Sequence, residues 1–246
     1  MKKKQQPQRT TTPTTTPEAN GNGESTPVRL PAMLVRQVKI PIIGVTSLLV
    51  LRFSEKARNM MLGKQMGEAK AGKEPKDPLA LFKESYYSDK DGFIFPSVCF
   101  KAAGVNCAND IEEKQTEMRR AFFVLGDWVR IEAPPLEKEH WSEWDHKYAK
   151  DLKWEHEHGC SMVHAMVRNA SGVADIRFRS CFPVWKATLP VEFNEAIITL
   201  EKLMMLMTVA GFGNGIGEWR PASKESKTGT HGRWRLMSDD KNETSS

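Results

Sequence analysis

The chain has 246 residues, 39% of them hydrophobic and 27% charged, with a formal net charge of +5. That apolar content supports a real core and excludes wholesale disorder, and the length suits one domain or two small ones. The longest apolar stretch, residues 40–51, is broken by Pro41, Gly44, Thr46 and Ser47 and is too short to span a bilayer.

Lys2, Lys3 and Lys4 are followed by a Gln/Thr/Pro tract where a signal peptide needs an apolar segment, so no secretion is implied. Residues 1–28 hold seven Thr and four Pro and nothing aromatic, which predicts a disordered tail over 1–29. Order is expected from about residue 30. Val38, Ile40 and Ile42 alternate with Lys39 and Pro41, as in a strand near a sheet edge. Ser54 suits the cap of a helix reaching about Lys70, with Ala57, Met60, Met61 and Met66 turned to the core. A Gly/Lys/Pro cluster breaks it over 71–78, and a short helix carries Leu79, Phe82 and Tyr86. Asp91-Gly92 marks a turn, and Phe95-Pro96-Ser97 opens a third helix to about Ala108.

Residues 120–131 read as a hairpin about Gly126-Asp127. The Trp/His-rich stretch 134–164 lacks periodicity and reads as an insertion, with Trp141, Trp144 and Trp154 offering a surface to a protein partner or packing locally. Two strands are expected at 175–182 and 185–193. Leu200, Leu203, Met204 and Met207 then give the clearest helical spacing. A Gly-rich loop leads to a last strand at 233–236, and residues 237–246 read as a flexible tail. The pattern is α+β: one domain over 30–236, with a ferredoxin-like core, an antiparallel sheet and helices on one face.

The Gly-rich loop attracts most attention. Gly211, Gly213, Gly215 and Gly217 alternate straight after the helix, which allows positive φ and close approach of another chain. Arg220, Lys224, Lys227, Arg233 and Arg235 outweigh Glu218 and Glu225 there, with Trp219 and Trp234 interleaved. Cations for phosphates and aromatic faces for unstacked bases are what single-strand binding requires. No GK[ST] follows the glycines, so the loop is not a P-loop, and it leaves a helix rather than a first strand, unlike a dinucleotide fingerprint. A helix cap followed by a hairpin is the simpler alternative. Arg177 and Arg179 share a strand face, with Lys186 expected nearby; solvated strand faces are the alternative here. Arg52, Arg119 and Arg120 are further cations.

His156-x-His158 on a strand, joined by His164, could bind zinc, but HExxH is missing, no cysteine except Cys160 has zinc-finger spacing, and exposed His and Glu explain the cluster more simply. A Cys160/His164 nucleophile pair lacks an orienting third group. Cys99, Cys107, Cys160 and Cys181 have no CxxC spacing and read as reduced, packed thiols. No catalytic residue, metal ligand or cofactor is therefore assigned.

Residues 43–56, the Lys-Glu-Pro-Lys-Asp-Pro run ending at Pro78, Phe95-Pro-Ser-Val-Cys-Phe-Lys-Ala-Ala103, Ala174-Asp-Ile-Arg-Phe-Arg179 and Gly215-Ile-Gly-Glu-Trp-Arg-Pro221 resemble a bacteriophage and prophage protein family without an assigned activity. The resemblance covers roughly residues 38–236 and implies a phage protein in the cytoplasm of a bacterial host. A weaker, fold-level similarity is to the repeat-associated RNA-binding proteins of CRISPR systems. Those also end in a helix, a Gly-rich loop and a strand with Gly-Arg beside aromatics, here His231-Gly-Arg-Trp234.

The expectation is a non-enzymatic single-stranded DNA- or RNA-binding protein, an annealing or replication/recombination accessory and a homo-oligomer. Arg177, Arg179, Lys186, Arg220, Arg233 and Arg235 would hold phosphates, Trp219 and Trp234 would stack bases, and Gly213, Gly215 and Gly217 would admit the strand. The alternatives are a structural or host-interaction phage protein and a metal-dependent hydrolase using His156, His158 and His164.

Overall fold

The computed structural model describes residues 34–67, 75–168, 172–223 and 228–237. The Thr/Pro-rich start, the C-terminal tail, and Lys224 and Lys227 of the basic cluster lie outside them. Alternating apolar and polar residues build β1 (Val35–Gly44), and a bend leads into the fully buried β2 (Leu48–Val50). The Ser54 side chain accepts from Ala57 N at 3.2 Å and caps α1 (Glu55–Gln65). Asp77 caps α2 (Pro78–Lys83), whose proline sits in the first turn where its missing N–H costs nothing.

Next come β3 (Tyr87–Asp89), β4 (Gly92–Pro96), α3 (Ser97–Asn106), α4 (Gln115–Ala121), β5 (Phe122–Val124) and β6 (Trp128–Arg130). The Trp/His-rich stretch holds α5 (Glu143–Lys147) and α6 (Lys153–Glu157) and enters β7 (Ser161–Arg168). β8 (Ala174–Phe182), β9 (Lys186–Asn194), α7 (Leu200–Val209) and β10 (Trp234–Leu236) complete the series. No helix among the described residues is long and apolar enough to cross a membrane.

The structure is mixed α and β with antiparallel sheets, in keeping with the α+β pattern. The largest sheet runs in the order β10-β1-β9-β5. β1 and β9 pair antiparallel from Val35↔Asn194 to Ile43↔Lys186, which aligns Ile40 with Leu189 and Ile42 with Ala187 on one buried face. That face lies under α3 and α7. Phe100 of α3 meets Trp234 of β10 edge-on, 5.9 Å between ring centroids, and α7 contributes Leu203, Leu206 and Met207 to the same core. A side chain at Gly104 would press on Phe122 at 2.9 Å, so α3 carries glycine where β5 meets it. Each such large apolar side chain contributes about 1.5–3 kcal/mol on burial.

Two smaller sheets, β2-β8-β7 and β3-β4-β6, are built from strands that lie between β1 and β9 in the chain. They correct the hairpin expected about Gly126-Asp127. β5 pairs with β9 and β6 with β4, so the two short strands belong to different sheets. The turn chemistry is local, and stronger partners elsewhere decide the pairing. A second correction concerns α1: Met60, Met61 and Met66 are 64%, 59% and 79% exposed rather than packed in the core.

The stretch 134–164 is not a loose insertion. Its organising group is the carboxylate of Asp145, which is completely buried. That carboxylate accepts from Ser142 N at 2.8 Å, Met162 N at 2.9 Å, His156 Nε2 at 3.0 Å and the Ser161 hydroxyl. Ser142 and Asp145 form a reciprocal capping box on α5. The tryptophans pack inward on this frame. Trp144 donates from Nε1 to His164 Nδ1 at 2.8 Å and sets its ring edge-on to Phe178. Trp154 packs on Phe93, and Trp141 lies over His156 at 4.4 Å between centroids. Trp141, Trp144 and Trp154 are each half-buried, with part of every ring packed within the domain.

Replacing Asp145 with Ala strands four donors in a dry interior and is expected to cost about 3–5 kcal/mol. The exposed neighbour Glu143→Ala should stay within about 0.5 kcal/mol of wild type. Urea unfolding of both variants measures the difference.

Candidate nucleic-acid interface

The Gly-rich segment begins inside a helical turn. The last turn of α7 widens over Ala210–Asn214, where Gly215 N donates to Ala210 O at 3.0 Å, a π-type bond. The chain then crosses β2 as a strap: Glu218 N donates to Leu49 O at 2.9 Å, Ile216 N to Gly232 O at 3.0 Å and Gly232 N to Ser47 O at 2.8 Å. This explains most of the glycines. Gly217 and Gly232 have positive φ, and a Cβ on them would collide with the carbonyls of Leu49 and Ile216 respectively. A Cβ at Gly211 would collide with Trp234 O, and Gly215 is crowded by His231 O at 3.1 Å. Of the three glycines expected to admit a strand, only Gly213 is exposed with open space around it.

The predicted cations separate into three places. Arg179 is 2% exposed, forms an ion pair with Glu218 of the strap, and lies 4.9 Å from the centre of the Trp219 ring. It fastens the strap to β8, so its charge is committed inside the protein; this corrects its assignment to phosphate. Arg177, two residues earlier, is half-exposed and only 3.9 Å from Asp175. Arg220 donates from Nη1 to Gly217 O at 2.9 Å and Arg233 from Nε to Phe212 O at 3.1 Å, so each also closes part of the loop.

Trp234 corrects a second assignment. It is 2% exposed and packs on Phe100, so it offers no face to a base. Trp219 is half-buried, with a positive φ of 52° and its ring against Arg179. The exposed aromatic of this region is Phe212, 70% exposed beneath the Arg233 guanidinium at 4.6 Å. Sequence reading passed over it because an apolar residue directly after a helix looks like core.

Lys186 does not join Arg177, because β8 and β9 belong to different sheets. It stands instead on the outer face of the large sheet. Ile43 pairs with Arg235 on one side and Lys186 on the other, and Lys39 follows on the same face of β1. Phe123, 46% exposed, lies opposite Glu192 on that face, with the Lys101 ammonium 3.5 Å from its ring centre. The face's carboxylates are engaged: Glu132 with Lys186 at 3.2 Å, and Glu192 with the Gln37 amide at 2.9 Å. Among the described residues this face has no helix over it, in contrast to the face beneath α3 and α7. An exposed pair such as Lys186–Glu132 is worth little to stability, so a polyanion can compete for the lysine.

The histidines expected to form a metal set are occupied separately. His156 bonds Asp145, His158 Nδ1 bonds Trp154 O at 2.8 Å, and His164 bonds Trp144. His156 lies on α6 and His158 at its end, not on a strand. The close trio of potential ligands among the described residues is Glu137, Glu139 and His140, all exposed. Burial pushes the thiols up, to about 11 for Cys107 and Cys181 and well above the ordinary value for Cys160, which works against a thiolate nucleophile.

Arg179→Ala should therefore act on stability, lowering it by about 2–4 kcal/mol because it frees the Glu218 carboxylate and the strap. Arg177→Ala should stay within about 0.5 kcal/mol. Chemical denaturation of the two single variants separates the structural arginine from the exposed one.

No family model matches the chain, and a search of curated proteins returns no match either, so its function is read from the residues themselves.

Proposed function

We propose that the protein binds single-stranded DNA or RNA, without turning it over, on the open face of a ferredoxin-like core. The order of elements supports that core. Along the chain, β1, α3, β5, β9, α7 and β10 make a strand–helix–strand–strand–helix–strand series. In the sheet the four strands stand fourth, first, third, second, all antiparallel, with both helices on one side. The elements from β2 to β4 are then an insertion into the first half of this series, and those from β6 to β8 an insertion between its halves.

The observation that carries the reading is the uncovered face with Lys39, Lys186, Arg235 and the exposed Phe123. A four-stranded sheet with aromatic and cationic side chains on its free face is a recurrent way of holding unpaired bases and their phosphates. Gly213 and Phe212 at the end of α7 add an accessible backbone and ring beside Arg233. With the phage resemblance, the role proposed is an annealing or replication/recombination accessory in a bacterial host's cytoplasm.

Fluorescence anisotropy with labelled single-stranded DNA, single-stranded RNA and duplex, each at two salt concentrations, tests this. Binding should favour a single strand and weaken as salt rises. Lys39→Glu/Lys186→Glu/Arg235→Glu should flatten the slope of log K against log salt by about 2, as expected for three lost phosphate contacts. Absence of binding to all three ligands at low salt would overturn the proposal.

A second reading, a structural or interaction protein that self-associates, draws on α1 and its C-cap, where Met60, Met61 and Met66 face solvent. Light scattering should then report an oligomer for the wild type and a monomer for Met61→Glu/Met66→Glu, with unchanged circular dichroism. A monomeric wild type would exclude this use of α1.

A further inference from the structure

Beside β8, apart from the open sheet face, a cavity of about 430 Å³ opens to solvent between α1, α2 and the start of that strand. Its apolar walls include Leu51, Leu81 and Phe178, and its rim carries Arg52, Lys76 and Arg177. The volume is in the range of sites for small organic ligands. Ser85 is also in the wall, 1% exposed, with a hydroxyl that has no hydrogen-bond partner among the described residues.

The charges at the rim point to an anion. Lys76 donates to Asp175 and, at 3.1 Å, to Ile176 O, so the carboxylate at the mouth already has its counter-ion. The same contact holds Asp175 below the usual carboxylate range, keeping it ionised and Lys76 in place. Arg177 Nε also reaches Asp175, at 3.9 Å, and Arg52 lies 5.5 Å over the Tyr87 ring with its backbone N–H on Ser85 O at 2.7 Å. Glu84 is the remaining carboxylate of the lining. Two guanidinium groups thus border an apolar chamber whose nearer acid is neutralised by a lysine. An apolar body with an attached anionic group fits this arrangement.

We propose that the cavity takes one nucleotide, its base against the apolar walls and its phosphate between Arg52 and Arg177. The inference rests on the single-strand reading and deepens it by giving one unit of the strand its own receptacle; a free nucleotide has the same chemistry.

The test titrates the full chain with adenosine monophosphate by calorimetry and with fluorescein-labelled oligo(dT) by anisotropy. The proteins are wild type, Ala57→Trp, which fills the cavity from α1, and Arg177→Gln, which removes a rim charge. Thermal melting verifies that both variants fold. Loss of oligo(dT) affinity by about tenfold in both variants, the worth of one stacked base, supports a strand unit in the cavity. Loss of adenosine monophosphate binding with oligo(dT) unchanged supports a free nucleotide. If both ligands bind both variants within about twofold of wild type, or if the nucleotide fails to bind and oligo(dT) ignores both variants, the cavity proposal is overturned and the sheet-face reading stands. Failure of wild type to bind oligo(dT) or single-stranded RNA overturns the sheet-face reading instead. The nucleotide titration then decides the cavity by itself.

Discussion

The antiparallel pairing of β1 with β9 is the contact on which the rest of the structure depends. It joins residues 35–43 to residues 186–194, so every element between them is carried in the loop that this pairing closes. Closing a loop on the order of 150 residues costs roughly 4 kcal/mol in chain entropy beyond the constant for contact, which local hydrogen bonds alone do not repay. What offsets it is the buried row of Ile40, Ile42, Ala187, Leu189 and Val191 beneath α3 and α7. The pairing also sets the two edges of the sheet: β10 adds beside β1 and β5 beside β9, and residues of opposite parity are left on the outer face. The register sets Lys186 and Arg235 on either side of Ile43, with Lys39 four residues along the same face of β1.

The strap across β2 is a second consequence. Once β10 pairs with β1, the chain from the end of α7 has to pass over Leu49 and return beneath Ile216, and it does so at backbone-to-backbone distance. The alternating glycines satisfy that steric demand, and Arg179 with Glu218 and Trp219 locks the crossing. The features that most resemble a ligand-binding loop are thus largely consumed in holding the loop down. The chemistry left for a polyanion lies on the open sheet face, at Phe212–Gly213, and around Arg177.

Much of the framework was legible before any coordinates. Alternation in β1 and β9, the helical spacing in α7, and the cap Ser54 are local signals that tertiary packing reinforced. Pairing was less legible, because turn residues at Gly126-Asp127 describe a bend and carry no information about which strand lies alongside. Stretch 134–164 was opaque for a related reason: its two helices have five residues each, too short for periodicity, and their anchor is one buried carboxylate whose partners are spread from Ser142 to Met162. At the candidate site, composition identified the cations and rings correctly as residue types. It could not tell Arg179 and Trp234, which are buried, from Arg177 and Phe212, which reach solvent. Arg177 and Arg179 lie on the same face of β8, and what separates them is the strap, whose Glu218 and Trp219 close over Arg179.

Photocrosslinking of a 5-bromouracil-substituted single strand, followed by peptide mapping, tests the central claim most directly because it reports location rather than affinity. The account predicts crosslinks on peptides from β1, β5, β9 and β10, with Phe123 the foremost acceptor on the open face. Crosslinks confined to the covered side, on α3 and α7, would contradict it.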